Sequence, residues 1–460
     1  MARKKGPLEY FEEILAVPRE SGKEDKIAGY LVTFAQTHHL DYDVDSYSNV
    51  IIRKKGSLPY KCEPIILQSH IDMVCISDEA YDFDRKGIEW YKEAGFYKAN
   101  GTTLGADNGV GMAIILAILH DSSLVHPPIE ALFTAQEETT MDGAKFFNYK
   151  NIKGKRLISL DGTEENKIEV SSAGMASIKV STDIEEIKND LLTYQISISG
   201  LLGGHSGTDI NKKRGNAIKI LANIIKGVDD IEIVQINGGS KENVIPSTAK
   251  CIFKTKCDIS SDIEFFKDFY QVQYETIKID FRRMKLRDFA INNEKSRRIL
   301  DFLNNIEDGV LKENELKFPL TSSNLGVIET TKDKIMITLS IRSSIVGFED
   351  YYVNKAEKIA KKAKLKYFLE DKKPFFIFKE NSPLRKLLMK KYKELYHENI
   401  TLEDVHAGLE GGMFANEIKD IDMCVIGANL YGIHSVNEKV EIESIKRVFE
   451  WLKVALEDME

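Results

Sequence analysis

The stretch ALFTAQEETTMDGA, residues 131–144, carries an apolar run directly into two adjacent acids, Glu137 and Glu138. The run, residues 129–135, reads as a β-strand. Neighbouring residues on a strand point to opposite faces, so two carboxylates at a strand end aim at two different targets. We therefore expect the two glutamates to have different roles.

Similar apolar runs lie on both sides of this stretch. The segment GVGMAIILAILH, residues 109–120, is apolar nearly all round and long enough for a buried helix. Strands that alternate with helices predict an α/β fold, here a mixed sheet flanked by helices. The predicted strands cover residues 49–53, 64–68, 129–135, 157–160 and 423–427.

The middle of the chain has a different pattern, which begins near Ser177. TYQISISG at residues 193–200 and KIMITLSIRSS at residues 334–344 alternate with period two. Such alternation is typical of an antiparallel sheet with one buried face. The first pattern returns after Lys372. The sequence therefore predicts one domain from residues 1–177 and 372–460, with an α+β domain, residues 178–371, inserted into it.

Bulk composition excludes several classes of protein. The 460 residues carry a net charge of −8, so the composition shows no sign of the excess positive charge that nucleic-acid binding requires. No run of 18 apolar residues occurs, so neither a membrane span nor a membrane partner is expected. We expect no signal peptide, because LEYFEEILA is amphipathic and acidic. Scattered cysteines without a CxxC pair indicate reduced thiols in the cytoplasm: Cys62, Cys75, Cys251, Cys257 and Cys424.

Acids and histidines stand where the predicted strands end, and ligands of α/β sheets gather at carboxyl ends of strands. Neutral imidazoles and carboxylates are the usual non-thiolate ligands of zinc. One tetrahedral zinc needs about three protein ligands, fewer than this set offers. Two ions about 3.5–4 Å apart, bridged by one carboxylate, would use them all. The set comprises His70, Asp72, Asp107, Glu137, Glu138, Asp161 and His434.

Each of these residues also has a plain structural interpretation. Asp107 can cap a helix or form a turn, Asp161 with Gly162 suits a turn, and Glu137 with Glu138 can be a solvated strand end. Only their joint placement favours a metal site. We assign the following histidines to ordinary structural roles: His38, His39, His120, His126 and His397.

Signatures of other hydrolases are absent. No HExxH occurs, and GGHSG at residues 203–207 is not the GxSxG of a nucleophile elbow. GADNGVG lacks the Lys-Ser/Thr of a phosphate-binding loop.

An ordered set of motifs resembles the aminoacyl-histidine dipeptidases (Xaa-His dipeptidase, peptidase D), a group of the aminoacylase and carboxypeptidase-like dizinc peptidases. The resemblance runs from about residue 8 to the C-terminus, and GTTLGADNG together with HAGLEGG is its most specific part. The motifs are SHIDMV, ANGTTLGADNGVGMA, EETTMDGA, GLLGGHSG, NVIPSTA, HAGLEGGMF and GIHSVNE.

The resemblance implies a set of metal ligands. His70 and Asp161 would bind one ion, Glu138 and His434 the other, and Asp107 would bridge both. The ions would be zinc in the first place, with cobalt and manganese as alternatives that share such ligands.

The resemblance also implies which residues move protons. Asp72 would orient the His70 ring, as carboxylates behind metal-bound histidines do. Glu137 would be the general base, taking a proton from the metal-bridging water and passing it to the leaving amine. On this interpretation one glutamate binds metal while its neighbour transfers protons.

The inserted domain would be a lid. The resemblance implies that His205 stabilises the oxyanion of the tetrahedral intermediate, and that Asn243 and Arg342 bind substrate. Arg342 suits a free C-terminal carboxylate because a guanidinium can bind two oxygens. Gly411 would let the backbone approach the substrate. Two positions depart from close relatives of the family: Gly412 replaces Cys, and Met175 replaces Gly.

The predicted function is that of a cytoplasmic two-metal dipeptidase acting on short peptides with a free C-terminus, Xaa-His dipeptides such as β-alanyl-histidine included. A bridging hydroxide, activated by Glu137, would attack the peptide carbonyl. The alternatives are an N-acyl amino acid hydrolase on the same scaffold and a non-catalytic binding protein. The sequence leaves open whether the chain forms a homodimer, and whether His205 serves its own active site or that of a partner.

Overall fold

The structure is a computed structural model that describes residues 5–57, 63–285 and 289–459, so the prediction for Cys62 lies outside the described residues. By internal packing the chain forms two compact units. The first comprises Met1–Ser171, Phe376–Asp404 and Leu409–Glu460, and the second Ser172–Phe375 and Val405–Gly408. The short segment Val405–Gly408 thus packs with the second unit, although it lies outside residues 178–371. The domain boundaries drawn from the sequence stay a prediction.

The strands are numbered in chain order. The strands before the second unit are β1 (Asp41–Val44), β2 (Val50–Lys54), β3 (Ile65–His70), β4 (Trp90–Glu93), β5 (Phe96–Ala99), β6 (Ile129–Thr134), β7 (Arg156–Gly162) and β8 (Lys167–Ser172). The second unit contains β9 (Gly174–Asp183), β10 (Glu186–Lys188), β11 (Leu192–Ser199), β12 (Gly204–His205), β13 (Glu232–Gly238), β14 (Val244–Ile245), β15 (Ala249–Thr255), β16 (Lys278–Arg283), β17 (Phe289–Ile291), β18 (Gly309–Glu313), β19 (Pro319–Thr330), β20 (Lys334–Ser343) and β21 (Lys366–Lys373). The last strands are β22 (Thr401–Val405), β23 (Asp422–Gly427), β24 (Leu430–Tyr431) and β25 (Lys439–Glu441).

The helices are numbered in the same way. They are α1 (Pro7–Leu15), α2 (Asp25–Thr37), α3 (Ala106–His120), α4 (Asp142–Phe146), α5 (Ala217–Lys226), α6 (Ser260–Gln273), α7 (Asn293–Asn305), α8 (Phe348–Lys362), α9 (Pro383–Tyr396), α10 (Gly411–Glu417) and α11 (Ile442–Glu457).

A mixed eight-stranded sheet organises the first unit, in the order β1-β2-β6-β3-β7-β23-β8-β22. Strands β6, β3, β7 and β23 are parallel to one another, whereas β1, β2 and β8 pair antiparallel with their neighbours. Ile65 and Leu67 of β3 pack into a core with α3, and Ile66 between them packs into the opposite core with α10. Helices therefore cover both faces, and the predicted α/β fold with a mixed, helix-flanked sheet is confirmed.

Helix α3 is apolar nearly all round because it is enclosed on all sides. It contacts β3 and β7 of the sheet on one side, and α1 and α11 cover it elsewhere. Every residue from Asn108 to Leu119 is buried. The segment at residues 109–120 is therefore the buried helix that its composition predicts.

The second unit is built on an antiparallel sheet in the order β16-β11-β15-β13-β19-β20-β9-β21, with β18 also paired to β19. On β20, Ile335, Ile337, Leu339 and Ile341 enter one core, which α5, α7 and α8 help to form. The period-two pattern thus buries one face under helices, and the predicted α+β lid is confirmed as a fold. Within the described ranges, no helix is both long and apolar enough to cross a membrane.

Candidate active site

The predicted ligands of the first unit meet at one edge of its sheet. His70 is the last residue of β3 and pairs with Thr134, the last residue of β6, while Asp161 lies near the end of the neighbouring strand β7. Because these strands are parallel, their carboxyl ends open at the same edge. Glu137 and Glu138 follow β6 in a turn. The expectation that strand alternation separates the two glutamates is therefore wrong, since neither residue belongs to the strand.

Asp107 lies between the two histidines and offers one oxygen to each. Its Oδ1 is 3.0 Å from Nε2 of His70, and its Oδ2 is 3.4 Å from Nε2 of His434. Asp161 Oδ1 lies 3.3 Å from the same His70 nitrogen, and Glu138 Oε1 lies 2.8 Å from that of His434. The five side chains thus form two groups joined by Asp107.

The donor set fits divalent metal ions. Ligand atoms of His70, Asp107 and Glu138 all lie within 4.8 Å of one another. Two ligands on one tetrahedral zinc, each bonded at 2.0–2.2 Å, would be about 3.3 Å apart. The distances among the five side chains, 2.8–3.4 Å, are close to that value. In the described part of the chain, Asp107, Asp161 and Glu138 form ion pairs only with histidines, so a cation would be well matched there.

The electrostatics of the cluster reflect crowded carboxylates. Burial raises the pKa of Asp161 to about 6, and the nearby charges of Asp107 and Glu138 add to that effect. Burial would also raise the pKa of Asp107, but hydrogen bonds from His434 and His70 outweigh it and hold that pKa below its ordinary value. Hydrogen bonds with Asp107 and Glu138 raise the pKa of His434 to about 10. The cluster therefore stabilises positive charge at its centre.

The carboxyl of Glu137 is strongly perturbed. Burial raises its pKa well above the ordinary value, and the charges of Asp161, Glu138 and Glu410 act in the same direction, while His70 opposes them. Within the described residues, the Glu137 carboxylate forms no ion pair. The Glu137 carboxylate lies next to the proposed metal ligands but is not paired with any of them. That position suits a residue that accepts and donates protons.

Asp72 supports both the His70 ring and the turn that carries the two glutamates. Its Oδ1 accepts the backbone N–H of Glu137 at 3.0 Å and its Oδ2 that of Glu138 at 3.2 Å, while Ser21 Oγ donates to Oδ2 at 2.7 Å. His70 Nδ1 lies 3.2 Å from the backbone oxygen of Asp72 and 3.4 Å from its Oδ1. These contacts turn Nε2 of His70 towards Asp107, and they fix the direction of the glutamate turn.

Two buried residues that sequence reasoning missed hold the loop before α3. The carboxylate of Glu438 accepts the backbone N–H groups of Leu104, Gly105 and Ala106 at 2.8–2.9 Å. Arg19 Nη1 donates to the backbone oxygen of Asp72 at 2.8 Å, and its Nη2 donates to that of Gly105. Glu438 closes the GIHSVNE motif and could have been singled out there, whereas nothing in the sequence marks Arg19.

Asn108, in the first turn of α3, ties the start of this helix to β7. Its Nδ2 donates to Asp161 Oδ1 at 2.7 Å, and its Oδ1 accepts the N–H of Gly111 at 3.0 Å. A Cβ at Gly111 would lie 2.0 Å from that Oδ1. Close packing of Asn108 against the next turn of α3 therefore requires the glycine.

Glu410, in the HAGLEGG motif, is a further buried acid beside the site. Its Oε2 accepts hydrogen bonds from Thr134 Oγ1 at 2.6 Å and from Gln68 Nε2 at 2.8 Å, and burial raises its pKa to about 8. Gln68 lies in β3, and Thr134 is the last residue of β6. Glu410 therefore links the two strands that lead to His70 and to the turn with Glu137 and Glu138.

The other predicted substrate residues are divided between the units. His205, in β12, accepts at Nδ1 the N–H groups of Gly207 at 3.3 Å and Thr208 at 3.2 Å. Asn243 and Arg342 belong to the same unit, where Arg342 is 4% exposed on β20. Gly411 begins α10 in the first unit, and its Cβ would meet Met423 and Phe376 at 2.9–3.0 Å. That packing explains the glycine without a substrate, and the predicted role of Gly411 stays a prediction.

Comparison with known proteins decides the family. The pattern of peptidase family M20/M25/M40 matches residues 66–458. The chain belongs to this family. The M20 chain is 31% identical to the cytosol non-specific dipeptidase of Escherichia coli (strain K12) over 470 aligned residues, 98% of this chain and 96% of the relative.

Solved structures agree with that assignment of the M20 chain. The aminoacylhistidine dipeptidase of Vibrio alginolyticus superimposes with a TM-score of 0.86 at 28% identity, covering 99% of this chain and 96% of that one. The M20 family metallo-carboxypeptidase Sso-CP2 of Sulfolobus solfataricus has a TM-score of 0.55 at 16% identity, covering 98% and 99%, and shares the fold.

Proposed function

We propose that this M20 chain is a metal-dependent dipeptidase that hydrolyses short peptides with a free C-terminus, Xaa-His dipeptides such as β-alanyl-histidine among them. The observation that carries the proposal is Asp107, whose two oxygens face His70 and His434 at 3.0 and 3.4 Å. The names of the two similar dipeptidases support the substrate class. We propose the cytoplasm as its location.

The proposed cofactors are two divalent ions, zinc in the first place, with cobalt and manganese as alternatives. His70 and Asp161 would hold one ion, Glu138 and His434 the other, and Asp107 would be shared. Such ions polarise a substrate carbonyl and lower the pKa of bound water.

Glu137 is the proposed general base. Its carboxylate would take a proton from the attacking water and pass it to the nitrogen of the leaving amine, which completes cleavage of the peptide bond. Asp72 would keep the Glu137 backbone and the His70 ring in place through the contacts described above. Neither role requires a change in the fold of the glutamate turn.

In the second unit, His205 is proposed to donate to the developing oxyanion, and Asn243 and Arg342 to bind the substrate. A homodimer would let His205 serve a partner's site instead of its own. Gly411 is proposed to allow close approach of the backbone to the substrate.

A panel of substrates tests this function. Purified protein, stripped of metal and reloaded with zinc, cobalt or manganese, is assayed on a dipeptide library and on N-acetyl amino acids, and metal content is measured on the same samples. We expect metal-dependent turnover of dipeptides. Turnover of N-acetyl amino acids alone would show an N-acyl amino acid hydrolase, and no turnover with metal bound would indicate a binding protein.

A further inference from the structure

The segment Val405–Gly408 carries a histidine of the HAGLEGG motif into the second unit. Ala173 N–H donates to the backbone oxygens of Val405 at 3.0 Å and Ala407 at 3.1 Å, which fastens the segment beside the start of β9. A Cβ at Gly207 would lie 2.4 Å from the backbone oxygen of His406 and 3.1 Å from the His205 ring. His406 therefore lies against the turn that follows His205.

Only one of the two ring nitrogens of His406 has a hydrogen-bond partner among the described residues. It is 4% exposed, and its Nε2 lies 2.8 Å from Ser322 Oγ. Its Nδ1 has no hydrogen-bond partner in the part of the chain that the structure describes. Burial, reinforced by the positive charges of Arg342 and His205, lowers the pKa of His406 to about 3. The ring is therefore neutral near pH 7 and carries a single N–H.

Ser322 links this ring to Arg342. Ser322 on β19 stands directly opposite Arg342 on β20, so both side chains lie on the same face of the sheet as close neighbours. Arg342 is also 4% exposed, and its Nε has no partner among the described residues. His406, bonded to Ser322, thus stands beside a buried guanidinium with an unused donor.

Ser206, next to Gly207 in the chain, is a further buried residue with an unsatisfied polar group. It is 1% exposed and precedes Gly207, the residue that touches His406, and its Oγ has no partner within the described ranges. Buried polar groups in native proteins are normally paired, and buried charges almost always are. The free Nδ1 of His406 beside the unsatisfied guanidinium of Arg342 suits a small anion that accepts several hydrogen bonds, and a carboxylate has that chemistry.

We propose that His406 is a substrate-binding residue that, together with Arg342, holds the C-terminal carboxylate of the peptide. Ser322 acts as a positioning residue: its hydroxyl donates to Nε2, which keeps the ring proton on Nδ1, where it donates to a carboxylate oxygen. The inference rests on the proposed function, because it assigns the part of the substrate that this unit recognises.

Matched variants separate the two ring nitrogens. The amide nitrogen of Asn replaces Nδ1 in His406→Asn, and that of Gln replaces Nε2 in His406→Gln. Each variant is assayed with one dipeptide from the panel and with the C-terminal amide of that dipeptide. We expect His406→Gln to raise KM for the free acid roughly 10- to 100-fold, the range of a charge-assisted hydrogen bond, with kcat and the amide little changed. His406→Asn keeps a donor at the Nδ1 position but loses the bond to Ser322, so it should raise KM for the acid by a smaller factor than His406→Gln does.

A role confined to folding would affect acid and amide alike, and equal losses on both substrates in His406→Gln would overturn the proposal. Should His406→Gln fail to fold, Ser322→Ala replaces it, with a smaller rise of KM expected for the acid alone and an equal change for acid and amide overturning the proposal.

Binding distinguishes this inference from the proposed function. Isothermal titration of the full chain with the same dipeptide and its amide should show a preference for the acid that His406→Gln removes. Failure of hydrolysis with that preference intact would refute only the dipeptidase, whereas lack of the preference in the natural chain would refute the carboxylate site.

Discussion

The carboxylate of Asp72 accepts the backbone N–H of Glu137 at 3.0 Å, and it lies 3.4 Å from Nδ1 of His70. One buried acid therefore positions both a proposed metal ligand and the proposed base. Coupling of this kind means that a change at Asp72 affects metal binding and proton transfer together.

Replacement of Asp72 by Ala should reduce metal affinity and kcat, each roughly 10- to 100-fold, as losses behind metal ligands do. The measurements are metal titration and steady-state kinetics. Ser21→Ala removes only one hydrogen bond to Asp72 and serves as the control with small effects on both. A loss of kcat with unchanged metal affinity would contradict the positioning of His70 by Asp72.

Metal should stabilise the fold through Asp107. Any ion that binds only the native state raises stability, by about 2.7 kcal/mol at a concentration of 100 Kd. We expect divalent metal to raise the Tm of the natural chain, and Asp107→Asn to lose most of that rise. Asp229→Asn is the control, because Asp229 is 87% exposed and lies in the second unit. An equal rise in both variants would show that the metal binds elsewhere.

Replacement of the Glu410 carboxyl by an amide should be tolerated, whereas loss of the side chain should not. Its pKa of about 8 means that the buried carboxyl is mostly protonated at pH 7, and Gln mimics that neutral form. Glu410→Gln should therefore keep most activity, whereas Glu410→Ala should lose the contacts with Gln68 and Thr134 and about 1–3 kcal/mol of stability. The readouts are activity at pH 7 and thermal melting. Equal damage in both variants would indicate that the charged form is the one required.

Stability should fall with rising pH because of Glu349, which is 3% exposed. Burial raises its pKa from 4.5 to about 7, although Lys372 opposes this. A raised folded pKa means that the folded chain holds the proton more tightly, so its stabilising effect is complete below pH 4.5 and is lost as pH rises through about 7.

Glu349→Gln removes that titration. The Tm of Glu349→Gln minus the Tm of the natural chain should increase as the pH is raised from acidic to mildly alkaline values. The increase should correspond to at most about 3 kcal/mol in the free energy of unfolding. Melting curves for both proteins, recorded across this pH range, check the prediction. A constant difference in Tm would show that Glu349 keeps an ordinary pKa in the folded chain.

Much of the fold could be predicted because the sequence patterns report burial directly. The all-apolar segment at residues 109–120 is stable only as a helix that is buried on all sides. In the structure, α3 is buried between the sheet, α1 and α11. The alternation in β20 needed one buried face, and Ile335 to Ile341 supply it. The segment Val405–Gly408 escaped prediction because its partners, such as Ala173, are distant in sequence.

The site could be predicted only in part, because sequence shows residue types but not directions. The strand ends indicated His70, Asp161 and the glutamates. The separation of Glu137 from Glu138, however, comes from a turn held by Asp72 and not from strand alternation. Arg19 supports the site through backbone oxygens alone, and contacts of that kind leave no pattern in a single sequence.

The most direct test of the account is Glu137→Ala, with metal content and kcat measured on the same zinc-loaded sample beside the natural chain. We expect two ions per chain in both proteins, and a kcat that is lower in the variant by roughly 10²–10⁴-fold, the usual contribution of a general base. An unchanged kcat, or a variant that loses its metal, would contradict the assignment of Glu137 as a base that stands beside the metal ligands without being one of them.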